Sequence, residues 1–161
     1  MILAPVRSGE AQTLDTQMVP ILYSRVCAPR LSRQEHYKSV PGVVATSVGY
    51  TGGNSDGPTY NSVCRGDGHT EAIKVDFDPS VISYEELMRQ FFADNKYGGG
   101  KKQYMSAVWA QSKEQAATAA KLANEQGSSV PVLDPTEWHD AEEYHQDYIA
   151  KSRRGYSTDP Y

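Results

Sequence analysis

The amino-acid sequence predicts an α+β fold, a two-layer sandwich of helices on a mixed or antiparallel sheet. Strand-like and helix-like segments mingle along the chain, and the strand spacing does not favour a long series of parallel crossovers. The clearest strand is AIKVDFD, residues 72–78, whose strict alternation of apolar and polar residues indicates one buried face. The clearest helix is SYEELMRQFFA, residues 83–93, where Ser83 and Glu86 form a capping box.

The other predicted elements depend on the same two kinds of signal. Ser32 with Glu35 predicts a short helix through Val40, and Ser112 predicts the start of a long alanine-rich helix over residues 113–126. Asp140 with Glu143 predicts a capped last segment over residues 141–151. Further strands are predicted at PILYSRVC (20–27), VVATSVGY (43–50), YMSAVWA (104–110) and VPVLD (130–134).

Length and composition bound the organisation of the chain. Its 161 residues fit one domain, by the usual range of roughly 100–200 residues per domain. We predict an irregular segment over residues 1–30, a single folded domain over residues 31–150, and a flexible tail over residues 151–161. No apolar run is long enough to span a bilayer, and the first fifteen residues do not resemble a signal peptide.

Charge and cysteine content exclude several classes of function. The net charge of −4 and the dispersed basic residues argue against binding to nucleic acid or to a membrane surface. Two cysteines, Cys27 and Cys64, are too few for a disulfide scaffold, so we expect a reduced, cytoplasmic environment. Each cysteine is either a small buried apolar residue or a thiol that does chemistry.

The segment from Gly49 to Val75 places many glycines around a few reactive side chains. It lacks both common phosphate-binding patterns, and no second pair of ligands joins Cys64 and His69 to complete a zinc site. A third interpretation uses Tyr60 as a hydrogen-bond donor and Glu71 as a desolvated acid beside an S=O or C=O group. The alternative is a solvated glutamate and an ordinary loop tyrosine.

Several motifs in order resemble peptide methionine sulfoxide reductase A. They are VGYTGG, PTYNSVCRGDGHTEAIKVDFDPSVISYEEL, QYMSAVWA and DAEEYHQDYI, and the similarity runs from Glu35 to Ile149. The resemblance implies a ferredoxin-like α+β core. It also implies a reaction in which a cysteine thiolate attacks the sulfur of methionine S-sulfoxide, becomes a sulfenic acid and is reduced by another thiol.

The resemblance also assigns residues to that reaction. It implies that Tyr60 and Tyr104 bind the sulfoxide oxygen and that Glu71 is the acid that protonates it. It implies an enzyme with no metal or organic cofactor, a substrate of oxidised methionine in peptides or proteins, and a thioredoxin-like reductant. We expect the protein to be a monomer.

The nucleophile is where the sequence departs most from the family. The family's Gly-Cys-Phe-Trp-Gly stretch is missing, and an ungapped count from Pro41 puts the nucleophile's position at Pro29. Cys27 lies two residues upstream and is the candidate catalytic thiol. The chain is therefore either a reductase that uses Cys27 or an inactive member that still binds methionine sulfoxide peptides. An atypical or incorrectly joined first coding segment is the third explanation, because the break is confined to the residues before Glu35.

Three smaller departures lie further along the chain. The turn over residues 67–71, DGHTE, is one residue shorter than the family's usual form. The loop before Tyr104 is GGGKKQ and lacks the aspartate and arginine that many members carry there. No cysteine follows Cys64, so the C-terminal resolving thiols of many members are absent.

Overall fold

The computed structural model describes the backbone of residues 17–21 and, in full, residues 34–98 and 105–153. The strands are β1 Gln17–Ile21, β2 Val43–Thr51, β3 Thr70–Phe77, β4 Val108–Trp109, β5 Val132–Leu133 and β6 His139–Asp140. The helices are α1, helical over residues 34–38 in the described part, α2 Tyr60–Cys64, α3 Tyr84–Asp94, α4 Lys113–Glu125 and α5 Tyr148–Arg153. A short 3-10 helix covers Glu143–His145.

Within the described residues the strands form a six-stranded sheet in the order β5-β4-β1-β3-β2-β6. The middle four strands, β4-β1-β3-β2, are antiparallel to one another, and β6 is antiparallel to β2, whereas β5 runs parallel to β4, so the sheet is mixed. With α1 after β1 and α3 after β3, these four strands follow the β-α-β-β-α-β order of a ferredoxin-like core. The predicted fold class is confirmed.

The main hydrophobic core lies between one face of the sheet and helices α3 and α4. Alternate residues of β3, namely Ile73, Val75 and Phe77, point into this core, as the period of two in the sequence predicted. They pack with Leu87, Met88, Phe91 and Phe92 of α3 and with Ala119 and Leu122 of α4. The other face of the sheet carries a smaller cluster of Ala72, Ala107 and Trp109.

Side-chain caps fix where two of the helices begin. The Ser83 hydroxyl oxygen accepts a hydrogen bond from the Glu86 amide, and the Glu86 carboxylate accepts one from the Ser83 amide. These two bonds are the predicted capping box of α3. Ser112 caps α4 as predicted through the Gln115 amide. Among the described helices, none is long and apolar enough to cross a membrane.

Several predicted element boundaries were wrong. Asp140 lies in β6, and the segment after it forms a 3-10 helix with no side-chain cap before α5 begins at Tyr148. The strand expected over residues 104–110 contains only Val108–Trp109 within the described residues. Strand β1 begins earlier than residue 20, and residues 22–27 lie outside the described residues.

Candidate active site

Glu71 is buried at the start of β3. It is 7% exposed, and its Cα pairs with that of Tyr50 across the β2–β3 ladder. Residues directly opposite each other in an antiparallel pair project from the same face, so the Tyr50 phenol lies on the Glu71 side of the sheet. The structure therefore favours the desolvated glutamate over the solvated one.

Glu142 is the acceptor that the buried Tyr50 needs. The Tyr50 hydroxyl, on a residue only 1% exposed, donates to Glu142 Oε2 at 2.6 Å, while the Tyr60 backbone N–H donates to Glu142 Oε1 at 2.9 Å. Burial of Glu142 opposes ionisation, but these two hydrogen bonds, with smaller contributions from its own backbone N–H and from His145, hold the pKa of the carboxyl below its ordinary value. Burial, reinforced by the bond to Glu142, raises the pKa of Tyr50, so its hydroxyl keeps its proton.

Tyr60 is the first residue of α2, not a loop residue. This helix was not predicted from the glycine-rich segment. Thr59 and Ser62 form its capping box: the Ser62 amide donates to Thr59 Oγ1 at 3.2 Å, and the Thr59 amide donates to Ser62 Oγ at 2.9 Å. The Tyr60 ring packs against His145, with 4.8 Å between the ring centroids. Its placement is thus set by a helix start and by the segment after β6.

The shortened turn before β3 is held together by Asp67. Its Oδ1 accepts from the His69 amide at 2.9 Å and lies 3.1 Å from His69 Nδ1, and its Oδ2 accepts from Ser62 Oγ at 2.5 Å. Burial opposes ionisation of Asp67, but these bonds lower its pKa below the ordinary value. The turn therefore links the end of α2 to the start of β3.

His69 has a packing role in this turn. The residue is 2% exposed, and a Cβ added at Gly53 would lie 2.3 Å from its ring, so only glycine fits at position 53. Its ring also meets the His139 ring edge-on at 5.5 Å. Within the described residues no group of three or more His, Cys, Asp or Glu side chains is arranged to hold a metal ion.

The C-terminal segment attaches to β2 through Gln146. Its side-chain amide accepts from the Val48 N–H at 2.9 Å and donates to the Val48 carbonyl at 2.8 Å. Further along, the Asp147 amide donates to the Gln34 side chain of α1 at 2.9 Å. These bonds fix the segment that carries Glu142 and His145 beside the end of β2.

The structure locates only some of the candidate residues. Glu71 and Tyr60 are brought to the same end of the sheet, where Tyr50 is cross-strand partner to the first and packs in one cluster with the second. Cys27, Pro29 and Tyr104 lie outside the described residues. Cys64 is an exposed thiol at the last position of α2.

Sequence reasoning missed Tyr50 and Glu142. The signal for the first was a tyrosine in an alternating strand, since a buried phenol usually finds a hydrogen-bond partner. Glu142 lies in the DAEEYHQDYI motif that carries the resemblance, but nothing in that motif distinguishes it from the acidic residues beside it. Its partners come from residues 50 and 60, and only the folded chain brings them together.

Comparisons with known proteins show which family the chain is similar to. The family model for peptide methionine sulfoxide reductase matches residues 32–160. Peptide methionine sulfoxide reductase MsrA of Escherichia coli O139:H28 is 38% identical over 136 residues, covering 73% of this chain and 64% of that protein. The same protein of Shigella boydii serotype 18 matches to the same extent. The chain thus spans about 64% of the length of these curated relatives.

Two solved structures resemble the chain closely in fold. Methionine sulfoxide reductase A of Corynebacterium diphtheriae has a TM-score of 0.75 at 27% identity, covering 94% of this chain and 80% of that one. Mxr1 of Saccharomyces cerevisiae in reduced form has a TM-score of 0.70 at 27% identity, covering 89% of each chain.

Proposed function

This chain belongs to the peptide methionine sulfoxide reductase family, and we propose that it reduces methionine S-sulfoxide in peptides or proteins to methionine. The observation that carries the proposal is the burial of Glu71 at the start of β3, on the same face as the Tyr50 phenol. A carboxyl group removed from water holds its proton to higher pH, which suits a general acid.

The proposed reaction balances with two thiols. The thiolate of Cys27 attacks the sulfoxide sulfur, and Glu71 protonates the oxygen as the S–O bond breaks. The S–S bond formed by the attack breaks as the protonated oxygen passes to the Cys27 sulfur, so the products are methionine and a cysteine sulfenic acid. A second thiol condenses with the sulfenic acid to give a disulfide and water, and a further thiol exchange restores the cysteine. Tyr60 and Tyr104 hold the oxygen by hydrogen bonds while its charge develops.

The proposed reductant is a thioredoxin-like protein. Mxr1, which is similar to this chain at 27% identity, has been solved in complex with Trx2. Neither a metal nor an organic cofactor takes part in the proposed chemistry, because the thiols supply both electrons.

The experiment is a turnover assay with a methionine S-sulfoxide peptide, in which thioredoxin and thioredoxin reductase couple the reaction to NADPH consumption. We expect the wild-type protein to turn over, Cys27→Ser to be inactive, and Cys64→Ser to retain the attack step because that thiol lies exposed at the end of α2. Activity that survives Cys27→Ser would remove Cys27 from the mechanism.

The second candidate is an inactive member that binds methionine sulfoxide peptides. It is favoured by one observation, the proline at the position that the family's nucleophile occupies in an ungapped count. Loss of a nucleophile costs on the order of a millionfold in rate, so intermediate activity is not expected. Calorimetric binding of the sulfoxide peptide without turnover supports this candidate, and the absence of binding excludes it.

A further inference from the structure

The Glu142 carboxylate joins two parts of the candidate site. One oxygen accepts from the Tyr50 hydroxyl on β2 at 2.6 Å, and the other accepts from the Tyr60 amide on α2 at 2.9 Å. The Glu142 side chain is 30% exposed, and its two carboxylate oxygens face these two donors. Both oxygens are therefore already engaged within the protein.

Helix α2 needs such an anchor. It has only five residues, Tyr60–Cys64, and a helix this short is marginal by itself. Its first backbone N–H groups have no partner within the helix; Thr59 accepts from one of them, and Glu142 accepts from the N–H of Tyr60. A carboxylate at this end also interacts favourably with the helix dipole.

The same segment also fixes the Tyr60 ring. His145 follows Glu142 by three residues and packs on that ring, with the centroids 4.8 Å apart. Gln146 then ties the segment to both backbone groups of Val48. The backbone and the ring of Tyr60 are consequently held by one short stretch, which is itself anchored on β2.

We propose that Glu142 is a positioning residue, which bridges Tyr50 and the start of α2 and thereby sets where the Tyr60 hydroxyl meets the sulfoxide oxygen. The inference rests on the proposed function of Tyr60. Glu142 does not touch the substrate; it acts through Tyr60. Its removal therefore weakens sulfoxide binding only as long as Tyr60 carries a hydroxyl.

The test is a double-mutant cycle on Glu142→Gln and Tyr60→Phe, in a Cys27→Ser background that prevents turnover. Binding of a methionine S-sulfoxide peptide is measured by calorimetry. Exchange of the Tyr60 amide hydrogen is followed by NMR in the same variants without peptide. Glu143→Gln is the matched control, since that neighbouring carboxylate is 88% exposed at its side chain and pairs with Lys151.

We expect Glu142→Gln to weaken peptide binding about tenfold or more, as for loss of a hydrogen bond to a charged group. Exchange of the Tyr60 amide should become faster, and Glu143→Gln should change neither quantity. In the double variant, Glu142→Gln should cause no loss beyond that of Tyr60→Phe alone. A purely structural destabilisation would instead multiply the two single effects.

The inference would be overturned if the losses of peptide affinity in Glu142→Gln and Tyr60→Phe multiplied in the double variant. It would also be overturned if Glu142→Gln bound the peptide as tightly as the parent protein. If the wild-type site binds no sulfoxide peptide, the proposed function fails, and the NMR measurement then decides the anchoring of Tyr60. Unchanged amide exchange in Glu142→Gln would overturn the inference in that case too.

Discussion

The two ends of the β2–β3 ladder bury opposite kinds of side chain. At one end Phe77, fully buried, pairs with Val43 and packs into the core with α3. At the other end Thr51 and Thr70 are paired and buried at 1% and 0% exposure, next to Glu71. The ladder is continuous, but its environment changes from apolar to polar along its length.

Burying polar groups costs free energy unless they find partners, so the polar end must be compensated locally. The Thr51 hydroxyl donates to the Glu137 carbonyl at 2.9 Å and lies 2.7 Å from Thr136 Oγ1. The Glu142 carboxylate likewise accepts a hydrogen bond from the buried Tyr50 hydroxyl. The apolar end supplies stability through packing, whereas the polar end maintains a set of hydrogen bonds around the residues to which we assign the proposed chemistry.

The largest effect that this comparison predicts is on turnover. Glu71→Gln removes the proposed acid at the polar end and should lower kcat by about 10²–10⁴-fold, the usual contribution of a general acid. The free energy of unfolding, measured in urea, should change much less than the activation free energy of turnover, because the glutamine amide has nearly the same shape as the glutamate carboxyl group. Undiminished turnover in the NADPH-coupled assay would show that Glu71 is not the acid.

Phe91→Ala at the apolar end should have the converse effect. Phe91 is fully buried against Phe92, so its truncation should lower the free energy of unfolding by about 3–5 kcal/mol. Peptide affinity of the fraction that remains folded should be unchanged. Urea unfolding measures the loss, and Val81→Ala, at a position 60% exposed, is the control with an expected change within about 0.5 kcal/mol.

A smaller effect is expected where the polar end is tightly packed. Gly53→Ala would place a methyl group 2.3 Å from the His69 ring and should cost about 1–3 kcal/mol of stability. His69→Ala removes the obstacle, so the double variant should lose less than the sum of the two single losses. If the losses in free energy of unfolding measured in urea were strictly additive, the two residues would not compete for this space.

The apolar end could be predicted from sequence because its signals are local. Alternation in β3 and the Ser83–Glu86 capping box depend on neighbouring residues, and both were confirmed. The polar end depends on contacts between distant residues. Glu142 meets Tyr50 across 92 positions, and no local pattern indicates that pairing.

Two errors in the sequence prediction concern helix caps. Glycines on both sides of α2 suggested a continuous loop, although Thr59 and Ser62 cap a helix there. Asp140 and Glu143 satisfied the spacing of a capping box, but pairing of Asp140 with Gly49 in the sheet prevailed. A cap motif is a weak local preference, and tertiary contacts can override it.

The smallest effect predicted here is the pH dependence of the Asp67 turn. Three hydrogen bonds lower the pKa of Asp67 in the folded protein, against an unfolded value of about 3.9. A depressed folded pKa contributes stability that is fully present well above that value and is lost as the pH falls through the folded pKa. Wild type should therefore be more stable than Asp67→Asn at pH 7, by about 0.5–1.5 kcal/mol, with the gap narrowing below about pH 4.

Urea unfolding of both proteins across this pH range measures the difference between their free energies of unfolding. The contributions of other carboxyl groups to the pH dependence are the same in both proteins and cancel in this difference. Asp56→Asn, at an exposed position in the preceding loop, is the matched control and should match wild type throughout. A gap that widened on acidification would mean that the neutral carboxyl, and not the carboxylate, stabilises the turn. The hydrogen bonds that join α2 to β3 would then have to be reassigned.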